Sequence, residues 1–230
     1  MKYLVVIPAR GGSKGIPYKN IVKVCGTPLI QYTIDCILQV SFDGDLVVST
    51  EDEKIAAEVR KNKNVKVIPR PIEMATDTAK TEQALLHAIQ WMKQEYGCEY
   101  DAVVTLQATS PLRTPQMIHK MMMQFEKNVQ SYDALLSLSE DRGDFWIQLE
   151  SGSFQRLDPT APRRRQDRKP LYLENSAVYI TKTTSLVETG SVLGHKPDGY
   201  VIDIEEAIDI NTPHDLVVVE AYLKRKYNRL

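Results

Sequence analysis

Arg10, Ser13, Lys14, Lys19 and Asn20 fall in one short stretch, interleaved with Gly11, Gly12 and Gly15. Glycines let a backbone turn tightly and approach a ligand closely. Their N–H groups can converge on an anion, and the cations supply the charge that a polyphosphate needs. Residues 3–7 just before this stretch are apolar and β-branched, as in a strand buried on both faces of a parallel sheet. A strand that ends in a cationic glycine loop is what a nucleoside triphosphate site requires. The spacing is neither the Walker loop G-x-x-x-x-G-K-[ST] nor the dinucleotide fingerprint G-x-G-x-x-G. The plainer alternative is a solvated basic turn, and the strand directly before it weighs against that.

Further elements must present the rest of such a site. Leu29, Ile30, Thr33, Ile34, Ile37 and Leu38 recur at helical spacing behind Pro28, a good first-turn residue. Residues 45–49 read as a strand, with Thr50 expected to cap a helix over 51–61. A third strand over 65–68 ends in Pro69-Arg70-Pro71, which cannot be helical. Thr81 or a neighbour is expected to cap the next helix, whose stripe is Ala84, Leu85, Ala88, Ile89 and Met92. Residues 102–106 form a fourth buried strand with a polar, turn-rich end from Gln107 to Thr114. Met117, Ile118, Met121, Met122 and Phe125 then mark a helix whose methionines fill core. Four strand–helix units imply a largely parallel sheet with right-handed crossovers. Ligands sit beyond the carboxyl ends of such strands, so the Arg10 loop, Arg70 and Gln107 should share one pocket.

The pattern breaks after residue 133. Residues 134–138 and 146–149 read as strands, while 156–170 is proline-rich, strongly basic and irregular. Such a composition suits either a disordered surface loop or a functional one. Asp209 is expected on an extended strand end, and Thr212 with Pro213 is expected to open a closing helix over 214–227.

The chain has 230 residues and a net charge of −1, enough for one α/β domain and without a basic face for nucleic acid or membrane. Its three cysteines, Cys25, Cys36 and Cys98, form no C-x-x-C pair, which fits a reducing compartment. No apolar run approaches the roughly 20 residues that span a bilayer. A cytoplasmic protein is expected.

The run Ile-Pro-Ala-Arg-Gly-Gly-Ser-Lys-Gly-Ile-Pro from Ile7, followed by Lys19-Asn20, resembles the signature of the acylneuraminate cytidylyltransferases, the CMP-sialic acid synthetases. So do Arg165-Gln166-Asp167, the stretch Asn175-Ser176-Ala177-Val178-Tyr179-Ile180, and Asp209-Ile210-Asn211-Thr212. The resemblance covers nearly the whole chain. It implies a Rossmann-like nucleotide-diphospho-sugar transferase fold: a mostly parallel α/β sheet flanked by helices, with an insertion near 140–175 for dimerisation and the sugar site. It implies transfer of CMP from CTP to the anomeric hydroxyl of a nine-carbon 2-keto sugar acid, with release of pyrophosphate.

By the same resemblance, Ala9, Arg10, Gly11, Gly12, Ser13, Lys14, Asn20, Arg70 and Thr81 bind the nucleotide. Gln107, Arg165, Gln166, Asn175 and Tyr179 contact the acid. Asp209, with Asn211, holds Mg²⁺, and Arg10, Lys14 and Asp209 carry catalysis. The resemblance also implies a homodimer. The chain departs from the family pattern at Asn211, where a second carboxylate is usual, at Ser176, where glycine is usual, and at Leu173, where arginine is frequent. These departures leave the acid open among N-acetylneuraminate, legionaminate, pseudaminate and an eight-carbon acid. They also leave open a catalytically weak CTP-binding protein.

Overall fold

The computed structural model describes residues 1–13 and 15–227, and side chains through residue 225. Strand β1 (Lys2–Pro8) lies at its centre, and Leu4, Val5, Val6 and Ile7 are all fully buried. A tight hairpin, β2 (Lys23–Val24) with β3 (Thr27–Pro28), leads into α1 (Leu29–Ile37). Then follow β4 (Asp43–Thr50), α2 (Glu53–Val59), β5 (Lys66–Pro69), α3 (Thr81–Tyr96), β6 (Ala102–Leu106) and α4 (Pro115–Asn128). The second part of the chain adds β7 (Ala134–Asp141), the hairpin β8 (Trp146–Gln148) and β9 (Phe154–Arg156), and β10 (Leu171–Lys182). It closes with α5 (Thr183–Thr189), β11 (Pro197–Val201) and α6 (Pro213–Tyr227).

The main sheet has seven strands in the order β11-β7-β10-β6-β1-β4-β5. All neighbouring pairs are parallel except those of β10, which runs antiparallel to both β6 and β7. Helices cover both faces, so alternate residues of β1 feed two cores. Val5 and Ile7 pack with Ile30, Ile34, Ile55, Met121 and Phe125. Leu4 and Val6 pack with Leu85, Ala88, Met92 and Leu186. Burial on both faces is why these strands read as unbroken apolar runs. Among the described residues no helix is long and apolar enough to cross a membrane.

The expected strands and helices are present, with local corrections. Thr50 belongs to β4 and does not cap α2. Asp52 does, its carboxylate accepting from the N–H groups of Lys54 and Ile55 at 2.9 and 3.0 Å. Thr81 is the first residue of α3; the preceding Lys80 makes no side-chain cap. Asp209 lies in irregular chain and not on a strand end. At α6 the Thr212 hydroxyl donates to Asp215, whose carboxylate also accepts from the N–H groups of Asn211 and Thr212 at 2.9 and 2.7 Å. The third helical residue reaching back is half of a capping box, and those backbone bonds hold the Asp215 carboxyl below the ordinary range. Neither α5 nor β11 was expected. The helix has seven residues, and β11 is a half-exposed edge strand without an apolar run.

Candidate active site at the carboxyl ends of the strands

The parallel strands β1, β4, β5 and β6 end on one edge, and a cavity of about 370 Å³ opens there. Its lining includes Arg10, Gly12, Ser13 and Asn20 from the glycine loop, Arg70 after β5, Thr81 at the start of α3 and Gln107 after β6. Asp209 and Asn211 close it from the far end of the chain. The pocket expected for the Arg10 loop, Arg70 and Gln107 is therefore one physical space. Lys14 lies outside the described residues.

The loop is held by its own side chains. Ala9 is fully buried and extends the strand pairing, its N–H donating to Ser49 O at 3.0 Å. Asn20 is buried, and its amide donates to Arg10 O at 2.8 Å, fixing the turn from within. Gly11 N–H donates to Glu51 Oε1 at 2.6 Å, so that donor is directed at a carboxylate and not at the cavity. A β-carbon on Gly11 would fall 2.6 Å from Asp52 Oδ2, which is why the position needs glycine.

Among the described residues, Arg10, Lys19, Arg70 and the exposed Lys80 line the cavity. Arg10 is half-buried; its Nη1 donates to Thr76 O at 2.7 Å and lies 3.2 Å from Asp77 Oδ1. Arg70 is buried and held by Ser49, its Nε donating to Oγ at 3.1 Å and its Nη2 to the carbonyl. Burial lowers the Arg70 pKa, Glu51 opposes that shift, and Arg10 adds to it. Lys19 donates to Ile210 O at 2.8 Å and reaches Asn211 Oδ1 at 3.5 Å. Its pKa is also lowered, chiefly by burial and further by Arg10, against the pull of Asp209 and Asp215. Like charges crowded into a half-buried space are a standing attraction for a polyanion.

Asp209 faces these cations. Ser110 Oγ donates to its Oδ1 at 3.4 Å, and the Asn211 amide donates to its Oδ2 at 2.7 Å. Among the described residues no group of three or more His, Cys, Asp or Glu side chains could hold a metal ion. Asp209 and the side-chain oxygen of Asn211, which faces Lys19 Nζ at 3.5 Å, are oxygen donors of the type that Mg²⁺ takes alongside waters and substrate phosphates.

A second cavity of about 480 Å³ adjoins the first and shares Ser176, Asp209 and Asn211 with it. Arg165 and Asn175 line it, together with an apolar wall of Leu173, Ile204, Ala207 and Ile208. Gln166 and Tyr179 lie outside the lining of both cavities. Gln166 is exposed on a one-turn 3-10 helix, and the buried Tyr179 gives its hydroxyl to Glu174. The Asn175 amide stabilises a bulge: its oxygen accepts from Ser137 Oγ at 2.6 Å and from Ala177 N at 3.2 Å, and its NH₂ donates to Ser139 Oγ at 2.9 Å.

Arg113 is a residue that sequence reasoning passed over. It is 2% exposed, and its guanidinium donates to Ala177 O, Thr33 Oγ1 and Gln107 O at 2.5, 2.6 and 2.6 Å. Burial pushes its pKa down to about 10. It ties the end of β6, at Gln107, to the middle of β10 and the middle of α1. Its place at the end of the polar segment after β6 was the available signal.

The 156–170 segment is folded. Asp144 accepts both Nε and Nη2 of Arg156 at 3.0 Å, with Arg168 at 3.5 Å and Arg163 at 3.7 Å. Arg156 and Arg168 also donate to Ala161 O and Pro162 O, at 3.0 and 2.8 Å. The proline-rich segment has one 3-10 turn of its own, at Arg165–Asp167, and a few backbone turn bonds; these side chains brace the rest.

The cytidylyltransferase family profile matches residues 4–208. An N-acylneuraminate cytidylyltransferase of Streptococcus agalactiae is 30% identical over 97% of this chain and 54% of its own, so the chain spans about half that relative's length. The CMP-N,N'-diacetyllegionaminic acid synthase of Legionella pneumophila is 30% identical over 97% of both chains. Among solved structures, a CMP:2-keto-3-deoxy-manno-octonic acid synthetase complexed with CTP superposes with a TM-score of 0.67, covering 98% of this chain and 100% of its own at 18% identity. That likeness concerns the fold.

Proposed function

The chain belongs to the cytidylyltransferase family, and from that premise we propose that it transfers CMP from CTP to the anomeric hydroxyl of a nine-carbon 2-keto sugar acid, releasing pyrophosphate. The observation that carries this reading is the meeting of Arg10, Lys19 and Arg70 with Asp209 in one cavity, beside a second cavity that shares Asp209. The nucleotide takes the first and the acid the second. The acid's hydroxyl oxygen bonds to the α-phosphorus and gives its proton to solvent, while the bond from that phosphorus to the α,β-bridging oxygen breaks and that oxygen leaves with the pyrophosphate. Such chemistry asks a protein mainly for positioning and charge neutralisation. Arg10 and Lys14 stabilise the departing pyrophosphate, and Ser13 and Asn20 fix the loop around it. Arg70 and Thr81 flank the nucleotide. Gln107 and Arg165 orient the acid, whose carboxylate suits an arginine fork. Asp209, with the amide oxygen of Asn211, would hold Mg²⁺, which neutralises phosphate charge when bound.

Two relatives named for sialic acid or legionaminate chemistry support a nonulosonate. The test is pyrophosphate release with CTP and Mg²⁺ against N-acetylneuraminate, legionaminate, pseudaminate and the eight-carbon acid. Release with one acid, abolished in Lys14→Ala, is expected. Tight CTP binding with no release from any acid would instead favour an inactive binding protein.

We further propose a homodimer built on the hairpin side of the sheet. Phe154, Leu157 and Leu173 are 65, 51 and 63% exposed there, next to the exposed Trp146 and Tyr172. A surface of that kind calls for a partner. Light scattering at micromolar concentration should give twice the mass of 26.1 kDa; a monomer would overturn this.

A further inference from the structure

We propose that the Ser176 hydroxyl determines which sugar acid is accepted, by binding an oxygen at the acid's reacting end. The proposal rests on the reading of the two cavities as nucleotide and acid sites. Ser176, Asp209 and Asn211 are the residues that line both, so Ser176 stands on the boundary where the two substrates must meet.

The backbone at Ser176 is left-handed, with φ of +59°, a conformation that L side chains seldom adopt and that glycine accepts freely. Its cause is visible. Strand β10 leaves its register with β7 between Glu174 and Tyr179. The Asn175 amide fastens the bulge to β7, and Arg113 fastens Ala177 O from the other side. The fold therefore requires a left-handed residue at this point, and it does not require a serine. A side chain that strains the backbone where glycine would not is evidence of a use for that side chain.

The hydroxyl is also held ready. Tyr179 Oη lies 3.1 Å from Ser176 Oγ, and its own partner on the other side is the Glu174 carboxylate. Tyr179 is thus satisfied without Ser176, so anchoring the tyrosine does not account for the serine. The pair instead fixes the rotamer of Oγ at the cavity boundary, leaving lone pairs for a donor on the acid. A polyhydroxylated acid seated beside Asp209 offers such a donor. Discrimination of this kind is strong, because a site built to pair with a substrate oxygen rejects an analogue that lacks it.

Ser176→Gly and Ser176→Ala separate the possibilities. Glycine relieves the strain and removes the hydroxyl; alanine retains the strain and removes the hydroxyl. Both variants should raise KM for the preferred acid about tenfold, with a much smaller change in kcat and unchanged CTP affinity by calorimetry. The preference among acids in the panel should narrow. Ser176→Gly should melt higher than wild type, by about 2 °C or more, and Ser176→Ala should not. If both variants keep the wild-type KM for every acid that turns over, the proposal is overturned. So is it if the KM change tracks the melting temperature and not the hydroxyl. A wild-type protein that turns over no acid would instead overturn the reading beneath it.

Discussion

Arginines crowd two regions of this molecule, and their partners make them opposite in kind. On the site edge, Arg10 has, among the described residues, a carbonyl and an exposed carboxylate as partners, at Thr76 and Asp77, and faces a cavity. In the hairpin region, Arg156 and Arg168 converge on one carboxylate, Asp144, and fill their other donors with carbonyls of the loop they fold. The first set can exchange its partners for a polyanion. The second cannot without unfolding the turn. Arg113 is a third case, buried and bonded to three acceptors below the site. A count of basic residues would rank Arg156 and Arg168 with the anion-binding groups; their partner atoms place them in the fold, while Arg165 of the same run lines the second cavity.

Substitutions can break or sharpen this contrast. Arg10→Ala should cut pyrophosphate release by about 10²–10³-fold, with the melting temperature unchanged. A marked drop in stability would place Arg10 with the structural arginines. Arg113→Leu should do the reverse, lowering unfolding free energy by about 3 kcal/mol, since it strands several buried acceptors. Urea titration reads this directly, and a variant as stable as wild type would contradict it.

Asp144→Ala should release the hairpin arginines. Trypsin should then cut the 156–168 turn about tenfold faster, because local opening governs cleavage, while CTP affinity is unchanged. The same brace should depend on pH. The Arg156 hydrogen bond holds the Asp144 carboxyl below its ordinary range. Its contribution is therefore complete above about pH 4 and is lost as pH falls through the lower folded value. Acid should expose the turn to an acid-active protease before the core melts. The smallest effect belongs to Asp77→Asn. Freeing Arg10 from a half-exposed ion pair should tighten CTP binding about threefold. Weaker binding would make Asp77 a nucleotide contact and not a competitor.

Much of the fold was legible because strands buried on both faces leave continuous apolar runs, as at Leu4 to Ile7 and Ala102 to Leu106. The edge strand β11, with exposed positions and a glycine, leaves no such trace. In the site, residues that follow a strand could be placed from topology alone, as Arg10, Arg70 and Gln107 were. Gln166 and Tyr179 show the limit. Their neighbours in sequence line the second cavity, but whether a side chain enters it depends on bulge geometry and local partners that composition does not encode. The order of the 156–170 segment was hidden for the same reason. It depends on Asp144, a single acidic residue outside the run itself.

The cavity joins the start of the chain to its end. Lys19 grips Ile210 O, and Gly15 lies so close to Asn211 that a β-carbon would fall 2.6 Å from its carbonyl. During synthesis the glycine loop leaves the ribosome first, and the carboxylate it faces arrives about 190 residues later, roughly ten seconds or more at ordinary elongation rates. Throughout that interval the sheet can assemble while the pocket lacks one wall. A nascent chain is therefore unable to hold its ligands until the Asp209 segment has emerged, so nucleotide can stabilise the assembled pocket without trapping a chain that lacks that wall.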